Sequence, residues 1–297
     1  MENNMLSVVL PSRNEQFLPH TIKDLLEKAE GEIEVIAVLD GYWPKESLPE
    51  DDRVRIVHKG EAGGMRSAIN SGVDVAQGKY IMKCDAHCMF DQGFDVKLAA
   101  DCEEDWVAIP RRKRLDAELW EPRTDGRADI DYMYLSFPDD NNDRGGAGLH
   151  GRKWREKNKD KALKEDKIVD LITSQGSCYF MHKKYYEDLE LLDAKSYGNF
   201  GSEAQELSFK CWLSGGRMIR NKNTWYAHLH KGNKYGRGWP LGKNEADKAT
   251  AYTNKWVTNE AWEKQTLPIT WMIKKFWPMP EWTEEKYEQL FGEKFEL

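Results

Sequence analysis

A carboxylate and an imidazole stand two residues apart where an apolar segment of the chain ends. Residues 79–84 are predicted to form a strand, and Asp85 and His87 follow it directly. Side chains at positions i and i+2 of an extended segment point to the same side, so these two can bind one divalent cation together. The same pattern is also typical of a turn that Asp85 caps, with His87 as an ordinary polar residue. Cys84 and Cys88 are a weaker alternative as zinc ligands, because no second cysteine pair has ligand spacing.

Apolar runs alternate with amphipathic stretches in the first third of the chain, and this alternation predicts the elements that hold such a pair. The predicted strands cover residues 6–10, 33–39, 54–57, 79–84 and 106–109, and the predicted helices cover 20–29, 64–76 and 93–102. This order is typical of an α/β fold, with a mostly parallel central sheet flanked by helices. Ligands of such folds bind at the carboxyl ends of the strands, which is where Asp85 lies.

The regular pattern breaks at residue 111 and returns near residue 177. Residues 111–166 are rich in charge and are predicted to be an insertion, whereas strands at 177–181 and 224–229 and a helix at 203–213 resume the fold. Eight of the twelve tryptophans lie from Trp212 onward. We therefore predict a main domain over residues 1–240 with an insertion at about 111–166, and a Trp-rich helical extension over 241–297 that packs on it.

Composition excludes several classes of protein. Hydrophobic residues make up 40% of the chain, which is too many for a disordered protein, and no apolar run is long enough for a membrane-spanning helix. The net charge of −7 argues against a generally basic nucleic-acid binder, but not against a local basic patch. The five cysteines are irregularly spaced and no signal peptide is visible, so we expect a cytoplasmic protein.

Several motifs in order resemble the family 2 glycosyltransferases, enzymes of the A-type fold that use nucleotide-sugars. The resemblance covers about residues 5–110 and 170–235, and its motifs are SVVLPSRNE (residues 7–15), VLDG (38–41), GGMRSAIN (63–70), DAH (85–87), FGSEAQELSFKCWLSGG (200–216) and WYAH (225–228). The Asp-x-His form and the block around Glu203 are similar to those of polypeptide N-acetylgalactosaminyltransferases. The resemblance implies the fold and a sugar-transfer activity.

The same resemblance implies roles for individual residues. Asp85, His87 and His228 are expected to hold Mn²⁺ or Mg²⁺, with His230 as an alternative third ligand. The residues expected to bind a uridine-type donor are Pro11, Arg13, Glu15, Asp40 and Arg66. In this arrangement Asp40 accepts a hydrogen bond from the pyrimidine and Arg66 lies near the diphosphate. Without the resemblance, Asp40 is explained equally by a turn and Arg66 by a solvated helix face.

The segment after the last predicted strand, residues 231–239, combines three glycines, three cations and two aromatic residues. Glycines permit a loop to move, and cations attract phosphate groups. We therefore expect a lid over the donor in which Lys231, Arg237 and Trp239 contact it. The alternative is an ordinary surface loop with solvated charges.

The chain departs from the family pattern at Ala204. Inverting members of the family have at this position an aspartate that deprotonates the acceptor, and alanine cannot take a proton. Glu203 and Glu206 are the nearest carboxylates and are the candidate catalytic residues. The alternative is a reaction with retention, in which the leaving phosphate accepts the proton and Glu203 binds a sugar hydroxyl.

The sequence predicts a metal-dependent transfer of a sugar from a nucleotide-sugar, such as a UDP-sugar, to an acceptor hydroxyl. The acceptor is left open between a protein, a glycan and hydroxymethylated bases of DNA, as is the oligomeric state. The basic clusters at residues 111–114 and 152–159 can approach a phosphate backbone, or can be a solvated charged surface. A non-catalytic nucleotide-sugar-binding module is the more distant alternative. A nucleotidyltransferase is disfavoured, because no Gly-rich phosphate loop follows the first strand.

Overall fold

The protein is described by a computed structural model over residues 4–139, 148–240, 242 and 244–297. Residues 140–147 of the predicted insertion therefore lie outside the described part. The strands are β1 (Leu6–Ser12), β2 (Ile33–Asp40), β3 (Val54–Lys59), β4 (Tyr80–Cys84), β5 (Cys88–Phe90), β6 (Trp106–Asp116), β7 (Glu121–Pro122), β8 (Met133–Leu135), β9 (Gly151–Lys153), β10 (Ile168–Asp170), β11 (Cys178–His182) and β12 (Arg217–His228).

Helices surround this set of strands. They are α1 (Leu18–Lys28), α2 (Gly64–Val75), α3 (Phe94–Ala100), α4 (Arg155–Lys159), α5 (Lys183–Asp188), α6 (Ala194–Tyr197), α7 (Glu203–Leu213), α8 (Gly232–Tyr235), α9 (Glu245–Thr258), α10 (Ile269–Lys275) and α11 (Glu284–Phe291), with a 3₁₀ turn at Ala162–Lys164. The predicted helices of the first domain occur within a few residues of their expected bounds.

The central sheet has the strand order β10-β12-β6-β11-β4-β1-β2-β3. The pairs β4–β1, β1–β2, β2–β3 and β6–β12 are parallel, whereas β11 runs antiparallel to both β4 and β6. The predicted α/β fold is confirmed. The sheet is mixed rather than fully parallel, because β11 lies between β4 and β6 and runs in the direction opposite to both.

Two hydrophobic cores cover the two faces of the sheet. Alternate residues of β1 point to opposite sides, so Val8 packs with α1 and α3 and Val9 packs with α2 and α7. Gly72 allows α2 to lie directly on β1, because a Cβ atom at this position would overlap Val9. The helices α9, α10 and α11 contribute Trp256, Met272 and other buried residues to the same core as Val9.

The two long strands β6 and β12 reach from the sheet into the functional region. β6 continues to Asp116, past the point at which the insertion is predicted to begin, and it pairs with β12 as far as His228 opposite Arg114. The register shifts between Asn221 and Trp225, which marks an irregularity in the ladder. This pairing places the end of β12 beside the arginines of β6.

In the described part of the chain, no helix combines the length and the apolar character that are needed to cross a membrane.

Candidate functional site

Asp85, His87 and His228 converge at one point of the sheet. Asp85 follows β4, His87 precedes β5, and the antiparallel pairing of β5 with β12 sets Cys88 opposite His228. The His228 Nε2 atom lies 3.0 Å from Asp85 Oδ2, and His87 Nε2 lies 3.9 Å from the same oxygen. One ligand atom from each of the three residues lies within 4.8 Å of the others. One carboxylate oxygen and two imidazole nitrogens at this separation suit a single divalent cation.

The two alternative ligand sets are not assembled in the described residues. Cys84 and Cys88 are buried, and burial raises the pKa of both thiols well above the ordinary value. Neither cysteine belongs to a group of three converging ligands within the described ranges. His230 lines the same cavity as His228, but its ligand atoms are not part of the converging group.

Glu15 contacts His87 from the side opposite to Asp85. Its Oε2 atom lies 3.0 Å from His87 Nδ1 and is also bonded to Lys231 Nζ. Burial acts to raise the pKa of Glu15, but the hydrogen bonds and charges of His87 and Lys231 lower it overall, so the carboxylate is ionised. An anion at Nδ1 keeps the hydrogen on that nitrogen and leaves Nε2 free to bind a metal.

Arg112 favours the other position of the ring hydrogen in His228, on Nε2. Its Nη2 atom lies 3.0 Å from His228 Nδ1. A guanidinium only donates, so Nδ1 accepts, and the hydrogen of the ring lies on Nε2, where it is donated to Asp85. Burial lowers the pKa of His228 to about 3, which keeps the ring neutral. A metal at Nε2 would require the hydrogen to leave that nitrogen, so the contact with Arg112 would have to rearrange for His228 to act as a ligand.

Lys83 fixes the second oxygen of Asp85. Its Nζ atom lies 2.8 Å from Asp85 Oδ1, 2.7 Å from the carbonyl oxygen of Gly176 and 3.1 Å from Glu203 Oε1. Burial acts to lower the pKa of Lys83, but the carboxylates of Asp85 and Glu203 raise it overall, so the lysine is charged. Asp85 therefore presents Oδ2 to the two histidines, and Glu203 lies behind Asp85.

A cavity of about 580 Å³ opens above Asp85, His87 and His228, at the carboxyl ends of β1, β2 and β4. The predicted donor-binding residues that line it are Pro11, Arg13, Glu15, Asp40, Lys231, Arg237 and Trp239. The structure thus brings seven of the eight expected donor residues to the same cavity as the three candidate ligands. Arg66 is the exception.

The glycine-rich segment forms one wall of this cavity. The guanidinium groups of Arg13 and Arg237 lie over the ring of Trp239, at 5.5 and 5.0 Å from its centroid. The amide of Asn14 donates to the carbonyl oxygen of Gly238 at 2.8 Å. The segment is therefore held against the loop that follows β1, and Arg13, Lys231 and Arg237 line one opening.

Asp40 lies at the cavity with both oxygens engaged. They accept hydrogen bonds from the backbone N–H groups of Gly63 and Gly64 at 2.7 and 2.9 Å. Gly64 begins α2, so this carboxylate joins the end of β2 to the start of that helix. A carboxylate oxygen can accept a second hydrogen bond, so a role toward a pyrimidine stays a prediction.

Arg66 and Glu206 lie outside the cavity, in contrast to the expectation that they contact the donor and take part in catalysis. Both side chains are fully buried and are hydrogen-bonded to each other. Arg66 also donates to the carbonyl oxygen of Gly201 at 2.7 Å and lies 4.0 Å above the ring of Tyr197, while Lys210 lies 2.8 Å from Glu206. The physical reason is helix packing: α2 and α7 meet here, and each buried charge requires a partner.

Lys83, Arg112 and the cavity residue Glu245 are missed by the sequence analysis. Lys83 is a charged residue in an otherwise apolar strand, and this signal could have marked it as a partner of a buried carboxylate. Arg112 lies in a run of four basic residues, and nothing in the run distinguishes it from its neighbours. Its position opposite Tyr226 in the β6–β12 pairing decides its contact with His228.

Comparison with protein families identifies the chain. The model of glycosyl transferase family 2 matches residues 7–189, which is more than half of the sequence. The chain belongs to glycosyl transferase family 2. Two curated relatives of this family-2 chain are Glycosyltransferase GlyG of Streptococcus pneumoniae, 32% identical over 91 residues, and Uncharacterized glycosyltransferase EpsJ of Bacillus subtilis, 29% identical over 112 residues.

These alignments are partial. They cover 28% and 35% of this chain, and 30% and 32% of GlyG and EpsJ respectively. Solved structures are similar in fold over a larger part of this chain. The crystal structure of GalNAc-T7 with UDP, GalNAc and Mn²⁺ superposes with a TM-score of 0.63 at 16% identity, over 96% of this chain and 54% of that one. The structure of Staphylococcus aureus TarS in complex with UDP-GlcNAc superposes with a TM-score of 0.55 at 12% identity, over 87% of this chain and 68% of that one. The family resemblance and the A-type fold are confirmed.

Proposed function

We propose that this chain is a metal-dependent glycosyltransferase that moves a sugar from a nucleotide-sugar to an acceptor hydroxyl. The observation that carries the proposal is the convergence of Asp85, His87 and His228 beneath a cavity lined by Arg13, Lys231 and Arg237. Three candidate metal ligands and three cationic side chains around one opening, of which Lys231 is paired with Glu15, match a ligand that carries a diphosphate.

The donor is proposed to be a UDP-sugar. The structures that share the fold were determined with UDP and GalNAc or with UDP-GlcNAc, which supports this class by analogy. In this chain the diphosphate would lie between the three candidate ligands and the cations of residues 231–239. Trp239 would then lie over the nucleotide or the sugar.

The donor set fits Mn²⁺, because this ion accepts both carboxylate and imidazole ligands. When bound, the metal would stabilise the negative charge that develops on the leaving nucleoside diphosphate. The protein side chains supply the rest: Lys83 holds Asp85, Glu15 orients His87, and Lys231 and Arg237 attract the diphosphate.

Retention is the proposed stereochemical course. Ala204 offers no base, Glu203 is bonded to Lys83, and Glu206 is bonded to Arg66. With both predicted carboxylates engaged and outside the cavity, the leaving phosphate is the group that can accept the proton of the acceptor hydroxyl. This arrangement favours transfer to the same face of the sugar.

Glu245 offers a test between retention and inversion. Four carboxylates line the cavity, and among the described residues the side chain of Glu245 has no hydrogen-bond or ion-pair partner. If the reaction inverts, Glu245 is the group placed to act as the base. NMR of the product anomer, with the Glu245→Gln variant assayed in parallel, tests this. The retaining mechanism predicts a retained anomer and at most a modest loss of rate in the variant. An inverted anomer would refute it, and an inactive variant would then identify Glu245 as the base.

The activity itself is tested with a panel of nucleotide-sugars and Mn²⁺. We expect slow hydrolysis of one donor, and loss of that hydrolysis in Asp85→Asn and His87→Gln while the unfolding midpoint changes little. Lys184→Gln, in an exposed ion pair far from the cavity, is a matched control. Absence of hydrolysis of every donor, with or without acceptor extracts, would favour a binding module instead.

A further inference from the structure

A second cavity, of about 810 Å³, lies between the β6–β7 hairpin and the segment that holds α4. We call it the basic cavity. From the hairpin and the residues after it come Arg114, Arg123 and Arg127. From β9, α4 and the 3₁₀ turn come Lys153, Arg155, Lys159 and Lys164. Asp129 is the one carboxylate among its described lining residues. The chain has a net charge of −7, so this concentration of positive charge is local.

Most of these cations have no acidic partner. Arg123 and Arg127 lie 3.7 and 3.5 Å from neighbouring aspartates, at exposed positions where such pairs contribute little. None of the ion pairs formed within the described ranges includes the other five. Burial lowers the pKa of Lys153, and the nearby charges of Arg114, Arg112 and Arg155 lower it further. The basic cavity is therefore a region of uncompensated positive potential.

The basic cavity is adjacent to the candidate metal site. Arg114 stands opposite His228 in the parallel pairing of β6 with β12. Neighbouring strands lie about 4.8 Å apart, so the basic cavity begins one strand away from a candidate metal ligand. A molecule held in the basic cavity can extend toward the donor.

We propose that the basic cavity binds the phosphodiester backbone of a nucleic-acid acceptor and directs that acceptor toward the candidate metal site. This inference rests on the proposed function for the reaction that follows binding. One phosphate group is neutralised by one or two cations, whereas here five cations without acidic partners are distributed over two segments of the chain. Arg155 and Lys159 are four residues apart on α4, so both face the same side and can contact successive phosphates.

Arginine is well suited to this task, because its planar group donates to two phosphate oxygens at once. Backbone contacts of this kind position a nucleic acid without reading its sequence. We therefore expect binding that depends strongly on salt concentration. The nucleotide that receives the sugar is then selected by the site around Asp85 and not by the basic cavity.

Fluorescence anisotropy of a labelled DNA duplex, without any sugar donor, tests the proposal. The charge-reversed variant Arg155→Glu/Lys159→Glu should bind at least about tenfold more weakly, and the slope of log K against log salt should fall by about 1.8, or 0.9 per lost phosphate contact. Lys164→Glu should also weaken DNA binding severalfold. Because Lys164 lies outside α4, this loss cannot be explained by a change in the structure of that helix. Lys195→Glu/Lys294→Glu reverses two exposed charges elsewhere and should keep the original affinity.

The proposal would be overturned if the Lys195/Lys294 control lost as much DNA affinity as the Arg155/Lys159 variant, or if neither variant lost affinity. Polyglutamate that competes as well as DNA would also overturn it, since the basic cavity would then bind any polyanion. The two proposals fail separately. An unmodified protein that hydrolyses a donor but binds no DNA contradicts the inference alone, and one that binds DNA but hydrolyses no donor contradicts the proposed function.

Discussion

Replacement of Glu15 by glutamine keeps the size of the side chain and removes its charge. In the structure Glu15 Oε2 lies 3.0 Å from His87 Nδ1, and this carboxylate also pairs with Lys231. Loss of an outer hydrogen bond to a ligand typically changes metal affinity by about 10- to 100-fold, which is about 1.4 to 2.7 kcal/mol. We expect Glu15→Gln to weaken Mn²⁺ binding by such a factor, because His87 loses the anion that keeps its hydrogen on Nδ1.

Isothermal titration of Mn²⁺ into the donor-free protein measures this change. The control is Glu118→Gln, which removes a carboxylate from an exposed ion pair with Lys234 and should leave the affinity unchanged. Unfolding midpoints of both variants show whether the fold is intact. A Glu15→Gln protein that is folded and binds Mn²⁺ as tightly as the control would refute the view that Glu15 orients a metal ligand.

Three other buried ionisable residues, Arg66, Asp24 and Arg112, give further testable outcomes. Arg66→Met should lower the free energy of unfolding by about 3–5 kcal/mol, because Glu206 stays buried without its guanidinium partner. The affinity for UDP, measured by calorimetry, should not change. Weaker UDP binding at unchanged stability would instead show that Arg66 contacts the donor. Burial raises the pKa of Asp24 from 3.8 to about 6, so the folded chain holds this proton more tightly than the unfolded chain, and the stability that it contributes below pH 4 is lost as the pH rises through 6. Asp24→Asn should therefore be more stable than the unmodified protein by about 3 kcal/mol at pH 8 and by about 0.5 kcal/mol at pH 4 in urea titrations, and a constant difference would contradict this. Arg112→Gln should bind Mn²⁺ about threefold or more tightly in the same titration, because a positive charge beside His228 is removed, and weaker binding would show that Arg112 supports the site.

The parts of the site that the sequence predicts are local ones. Asp85 and His87 are two residues apart at a strand end, so alternation along one strand is enough to place them together. The donor residues Pro11 and Arg13 follow the first strand in the same way. His228 is far away in sequence, and only the resemblance to a known family predicts its place beside Asp85.

The parts that the sequence does not predict depend on pairing between distant segments. The run at residues 111–114 reads as a charged insertion, yet it is the continuation of β6, because β12 supplies a parallel partner for it. Arg66 has the pattern of an exposed helix position, yet it is fully buried because α7 brings Glu206 against it. In both cases the segment that decides the local structure lies more than a hundred residues away, β12 for residues 111–114 and Glu206 for Arg66.

The charges around the candidate metal site also determine how a metal and a nucleotide depend on each other. Three cations, Lys83, Arg112 and Lys231, face the three carboxylates of Asp85, Glu15 and Glu203, so these charges balance before a divalent ion adds to them. A divalent ion makes the site positive, and the negative charge of a diphosphate beside it offsets that excess. Mn²⁺ should therefore bind more tightly in the presence of UDP, by about 5- to 150-fold, and UDP should gain the same factor from Mn²⁺ because coupling is reciprocal. Titrations of each ligand with and without the other measure both factors, and equal Mn²⁺ affinity with and without UDP would mean that the diphosphate does not share the site with the metal.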